Sequence, residues 1–162
     1  MPIKYDAPEI LEMAVRTEQG GRKFYRTVAE RTEDPDTKAV FLHLEQEEER
    51  HIATFRDIAR NLREKPEQLH YNWEEETPYL QAIVGSRYFL DDERAERLAR
   101  TTETPRDAVE HALGFERQTL LFYTELRGMV DENNRAAVER LITEEKSHVV
   151  KLTALLGTLA GQ

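Results

Sequence analysis

Glu48-Glu49-Arg50-His51 and Glu145-Lys146-Ser147-His148 are two copies of one spacing, Glu-x-x-His, set about 97 residues apart. What surrounds them repeats as well. Ala14-Val15-Arg16-Thr17-Glu18 with Phe24-Tyr25 aligns with Ala112-Leu113-Gly114-Phe115-Glu116 with Phe122-Tyr123. Each half of the chain thus offers one lone Glu and one Glu-x-x-His. Four carboxylates and two imidazoles on four predicted helices form the ligand set of a two-metal site inside a four-helix bundle.

Helical spacing turns these six residues inward. Alternating steps of three and four select Phe41, Leu44, Glu48, His51, Phe55, Ile58 and Leu62 in the second segment, and Val138, Leu141, Glu145, His148, Leu152, Leu155 and Leu159 in the fourth. The first segment gives Leu11, Ala14, Glu18, Gly21, Tyr25 and Val28, and the third gives Val109, Ala112, Glu116, Thr119, Tyr123, Leu126 and Val130. Four apolar seams face one core, each interrupted by a carboxylate at mid-length. An ionised Glu in such a place is very costly unless it is paired or binds a metal.

Height gives a second check. In an antiparallel hairpin, residues at one level lie equidistant from the turn. The midpoint of Glu18 and Glu48 is Glu33, beside Asp34-Pro35, where Asp can cap and Pro can open a helix. The midpoint of Glu116 and Glu145 falls at Val130-Asp131, next to the polar run Glu132-Asn133-Asn134. Helices are expected at about 8–31, 35–64, 105–130 and 134–158 in an all-α bundle forming a single domain over 1–162. A long crossover, about 66–104, lets the second and third helices run parallel. Within it, Tyr79 to Val84 reads as a short helix following Thr77-Pro78, and Asp91 to Arg100 as another.

A chain of 162 residues suits one domain of ordinary core size. The net charge of −9 argues against nucleic acid or an anionic membrane as partners. No apolar run approaches the ~20 residues of a membrane span, and the opening Met1-Pro2-Ile3-Lys4-Tyr5-Asp6 is not a secretory signal, so a cytoplasmic location is expected. The absence of cysteine removes thiolate ligands, iron–sulfur clusters and a Cys nucleophile together. Redox work must then use metal on oxygen and nitrogen.

Glu-x-x-His sets its two side chains one turn apart on one helix face, with Cβ atoms about 5–6 Å from each other, so both can reach one ion. Carboxylate with imidazole suits iron or manganese, with zinc a further substitute. Four Glu against two divalent ions sum to zero charge, which permits burial. Glu47, Glu49 and Glu144 lie off the seams and read as solvated; His43, His70 and His111 lack a partner at ligand spacing and read as surface or outer residues. Tyr25 and Tyr123, two turns beyond the seam Glu residues, read as core tyrosines that can orient a ligand carboxylate or relay an electron. The small residues Gly21 and Thr119 leave room where a small oxidant can enter.

The pattern Glu18, Glu48-x-x-His51, Glu116, Glu145-x-x-His148, with Phe-Tyr six residues after each lone Glu, resembles the ferritin-like superfamily and most closely the di-iron domain of the rubrerythrins. The resemblance covers the chain outside the crossover. It implies two iron ions and reduction of hydrogen peroxide with electrons from a rubredoxin domain. Thr119 stands where rubrerythrins usually carry a further carboxylate. No Cys-rich rubredoxin segment follows the fourth helix, so an external donor, rubredoxin-like or a flavoprotein, is expected, and the expected assembly is a homodimer. Iron handling as a ferritin-like ferroxidase acting on dioxygen, and a non-catalytic metal-binding module, are the alternatives.

Overall fold

The computed structural model describes residues 7–64, 73–86, 88 and 91–160. His70 and the chain's opening at Met1 to Asp6 lie outside them. The described residues form six helices: α1 (Ala7–Arg31), α2 (Pro35–Glu64), α3 (Trp73–Val84), α4 (Asp92–Thr101), α5 (Pro105–Met129) and α6 (Glu132–Leu159). α1 pairs with α2 and α5 with α6, and the two hairpins meet along α2–α6 and α1–α5. This is the expected all-α bundle.

The helix starts follow from local chemistry. Asp34 accepts from the backbone N–H of Thr37 at 2.7 Å, with Pro35 opening α2. Thr104 and Asp107 form a reciprocal capping box at the start of α5, again with Pro in the first turn. Asp91 caps α4 through Arg94 N–H at 2.8 Å.

Two boundaries differ from expectation. The turn between α5 and α6 is only Val130-Asp131: Asp131 accepts from Asn134 N–H at 2.8 Å, so Glu132-Asn133-Asn134 is the first helical turn rather than a loop. In the crossover, α3 starts at Trp73 and carries Pro78 inside it instead of starting after it. Pro78 is the sixth residue of α3, just past the first turn, so the helix forgoes one backbone bond there.

The described helices of the crossover, α3 and α4, pack on the bundle of their own chain. α4 lies against α1, with Ala95 and Ala99 fully buried, and Lys23 ion-pairs with Glu96 at 3.2 Å. The C-terminal end of α3 is tied to α5, where the Gln118 amide donates to the Ile83 carbonyl at 3.2 Å. The apolar core falls into two parts. One contains Leu11, Phe55, Ile58, Leu62, Tyr123, Leu126 and Val138. The other contains Tyr25, Val28, Phe41, Leu44, Val109, Phe115 and Leu152.

The room expected beside Gly21 is taken. A Cβ on Gly21 would lie 2.5 Å from the ring tip of Phe115, so the glycine is the notch into which that ring packs. The seam pattern does not reveal this because Phe115 precedes a seam Glu rather than occupying the seam itself. Gly21→Ala gains up to about 1 kcal/mol of helix propensity but displaces a packed ring at about 1–3 kcal/mol. Its urea midpoint should fall below the parent's and recover when Phe115→Leu is added; a rise in the single variant would contradict the notch.

Candidate metal centre

Glu18 comes from α1, Glu48 and His51 from α2, Glu116 from α5, and Glu145 and His148 from α6; all six are at most 1% exposed. They make one polar layer between the two apolar halves, because each seam carries its carboxylate at the same height. His51 Nδ1 lies 2.7 Å from Glu145 Oε1 and 3.5 Å from both Glu18 Oε2 and Glu48 Oε2. His148 Nδ1 lies 3.1 Å from Glu145 Oε2, 3.5 Å from Glu116 Oε1 and 3.6 Å from Glu48 Oε1. The imidazoles stack with centroids 5.4 Å apart and planes 18° from parallel.

The six residues divide into two overlapping ligand groups, Glu18–Glu48–His51–Glu145 and Glu48–Glu116–Glu145–His148, with the ligand atoms of each within 4.8 Å of one another. Glu48 and Glu145 belong to both. Two shared carboxylates with one imidazole and one private Glu per position would hold two ions in adjacent positions.

The donor set matches such a pair of ions. Both oxygens of Glu18, both of Glu48, Oε2 of Glu116 and Oε1 of Glu145 are buried without a hydrogen-bond partner among the described residues, as is His51 Nδ1. His51 Nδ1 and Glu145 Oε1 are close yet not aligned as a hydrogen bond; both point toward the middle of the cluster. So many orphaned acceptors in an apolar core call for cations, or protons in their place, between them.

The electrostatics show what occupies that role when metal is absent. Burial pushes Glu18 up to about 7, with His51 pulling back and Glu145 pushing further. Burial, then the charge on Glu145, raises Glu48 and raises Glu116 well above the carboxylate range. Burial also raises Glu145, but Glu116 and His148 beside its oxygens, with the charge of nearby His51, outweigh it and hold its pKa low. For His148, burial lowers the pKa and Glu116 and Glu145 outweigh it, lifting it to about 11; His51 is raised in the same way, chiefly by Glu18 and Glu145. Protons on imidazole and carboxyl thus stand in for the metal, with Glu145 as the charged hub.

The tyrosines behave differently from each other. Tyr25 donates a short hydrogen bond to Glu116 Oε1, and burial followed by that carboxylate raises its pKa. Tyr123 packs against Phe55 at 4.8 Å between ring centroids, its buried hydroxyl unpaired among the described residues. Thr119 is likewise buried with its hydroxyl unpaired there.

Two residues join the site that the seams alone do not predict. Glu144 is not simply solvated: its Oε2 lies 3.0 Å from His51 Nε2. Glu47 is mostly covered, ion-pairs with Arg50 and lies 4.0 Å from His148 Nε2. A signal for both is present in the sequence, since each immediately precedes a ligand Glu in the repeat. Glu49 is exposed and pairs with Arg22. His43 lies on the surface, accepting from Lys151 Nζ at 2.8 Å, and His111 is half-buried with its ring 6.2 Å from that of Tyr88.

A helical bundle with a buried Glu/His layer able to hold two metal ions defines a ferritin-like carboxylate protein. The chain belongs to the rubrerythrin family, whose model matches residues 9–156. It is also similar to a Thermotoga maritima protein whose crystal structure is described as that of a ferritin-like diiron-carboxylate protein, at 25% identity and a TM-score of 0.67 over 94% of this chain and 95% of that one. No curated protein matches the chain. No described helix is long and apolar enough to cross a membrane.

The pKa directions fix how metal-free stability depends on pH. Protonated Glu18 contributes stability that is fully present below its ordinary 4.5 and is lost as pH rises through about 7, amounting to about 3 kcal/mol. Glu48 and Glu116 act in the same sense, and the raised histidines lose theirs only above 6.5. Glu145 contributes stability that is lost only on acidification below 4.5. By calorimetry in chelator, the metal-free protein should melt higher at pH 5 than at pH 8, and added metal should raise the midpoint more at pH 8. A higher metal-free midpoint at pH 8 would contradict the buried cluster.

Proposed function

We propose that the chain binds two iron ions through Glu18, Glu48, His51, Glu116, Glu145 and His148 and reduces hydrogen peroxide to water with electrons from an external donor. The observation that carries this reading is the sharing of Glu48 and Glu145 between the two ligand groups, which would place two bound ions side by side. Redox-active ions there supply two electrons, and two protons complete the balance of peroxide to two waters. Manganese or zinc can occupy the same donors.

The protein's own part is to bind, orient and exclude water. Four carboxylates neutralise two divalent ions, so the reduced centre stays buried at no net charge. Tyr25 fixes the rotamer of Glu116 and keeps one of its oxygens engaged. The hydroxyls of Thr119 and Tyr123 are buried donors without a partner among the described residues. The 162 residues contain no cysteine, and the reductant in this reading is a separate donor such as a rubredoxin-like protein or a flavoprotein.

Anaerobically reconstituted protein should hold about two iron ions per chain and lose most of them in Glu48→Ala or Glu145→Ala. Fewer than one per chain in the parent would overturn the site. Mixed in stopped flow, the reduced protein should oxidise far faster with hydrogen peroxide than with dioxygen and should turn over once a reductant is supplied. Faster reaction with dioxygen, together with hundreds of irons retained per assembly, would instead establish ferritin-like iron handling.

A further inference from the structure

A neutral imidazole that gives Nδ1 to a metal must carry its proton on Nε2, and that proton needs an acceptor when the ring is buried. Both ligand histidines face this demand, since their Nδ1 atoms point into the carboxylate layer. For His51 the acceptor is present: Glu144 Oε2, 3.0 Å away. For His148, Nε2 is buried without a hydrogen-bond partner among the described residues, and Glu47 Oε2 stands 4.0 Å from it. The two acceptors hold matching places in the repeat, one residue before a ligand Glu. Each serves the histidine of the other helix: Glu144 on α6 reaches His51 on α2, and Glu47 on α2 faces His148 on α6. The helical geometry explains the crossing, because one residue back turns the side chain about 100° around the axis, from the core toward the neighbouring helix.

We propose that Glu144 and Glu47 are crossed positioning residues that fix the outer nitrogen of His51 and His148 respectively, so that each imidazole presents Nδ1 to its own metal position. This rests on the two-metal reading above. Arg50, paired with Glu47, holds that carboxylate in place beside His148. Each brace acts on one ion, not both.

The test uses the full chain, stripped of metal and titrated with cobalt(II) against a competing chelator, read by visible absorption. The parent should bind two ions. Glu144→Ala and Glu47→Ala should each weaken one of them by about 10- to 100-fold, the range typical of lost outer partners. Glu144→Gln and Glu47→Gln, which keep an acceptor oxygen, should recover most of that loss. The crossing is the sharper prediction. In a His51→Ala background, the remaining ion should respond to Glu47→Ala and be indifferent to Glu144→Ala; in a His148→Ala background the dependence should reverse. A general structural role would not produce that exchange. Equal sensitivity in both backgrounds, or parent-like affinity in both alanine variants, would overturn the braces while leaving the metal centre standing. A third cobalt ion in the parent that is lost in Glu47→Gln would also overturn them, showing that Glu47 and the imidazole edges bind metal themselves. A parent that takes up no cobalt would reject the metal centre and the braces together.

Discussion

Four carboxylates in an apolar interior repel one another and have lost their water, and everything else in this protein is arranged around that fact. Glu18, Glu48, Glu116 and Glu145 are all 0% exposed. Left ionised and unpaired they would cost more than the whole stability of a domain of this size, which is on the order of 5–15 kcal/mol. The fold answers with two histidines at the same height, with protons where no metal is bound, and with a geometry in which one pair of divalent ions cancels the charge. The apolar halves on either side keep water out, so that the interactions within the layer remain strong.

Much of this was legible in the sequence because the repeat, the seam and the height test rest on separate properties. A seam says which way a residue faces, height says how far along the bundle it lies, and only residues meeting both meet each other. All six predicted ligand positions satisfy both and converge in the structure. Helix starts at Pro35 and Pro105 were equally readable, since Asp34 and Thr104 have few better uses than capping.

What could not be read depends on contacts between helices that no single periodicity encodes. Phe115 fills the Gly21 notch because its ring crosses from α5 to α1, a fact of relative helix rotation. Glu47 and Glu144 read as solvated because they leave the seam, yet they leave it in the direction of the neighbouring helix. The difference between Tyr25, which meets a carboxylate, and Tyr123, which does not, is likewise invisible in a repeat that treats the two alike. Pro78 within α3 shows the opposite error, in which a strong local rule is overridden near a helix start.

The overlap of the ligand groups also bears on how the two halves of the bundle are held together. One group takes Glu18, Glu48 and His51 from the first hairpin but Glu145 from the second, and the other takes Glu48 from the first and the rest from the second. An ion in either group would therefore tie together two hairpins whose only covalent link is the crossover. In a chain without cysteine the ions do what disulfides do elsewhere: they close a long loop whose ordering is entropically unfavourable. Unlike a disulfide, this tie is undone by acid or by a chelator. Two separate polypeptides, one carrying α1 and α2 and the other α5 and α6, would accordingly associate in a metal-dependent way, with the staple between them made of metal and carboxylate rather than sulfur.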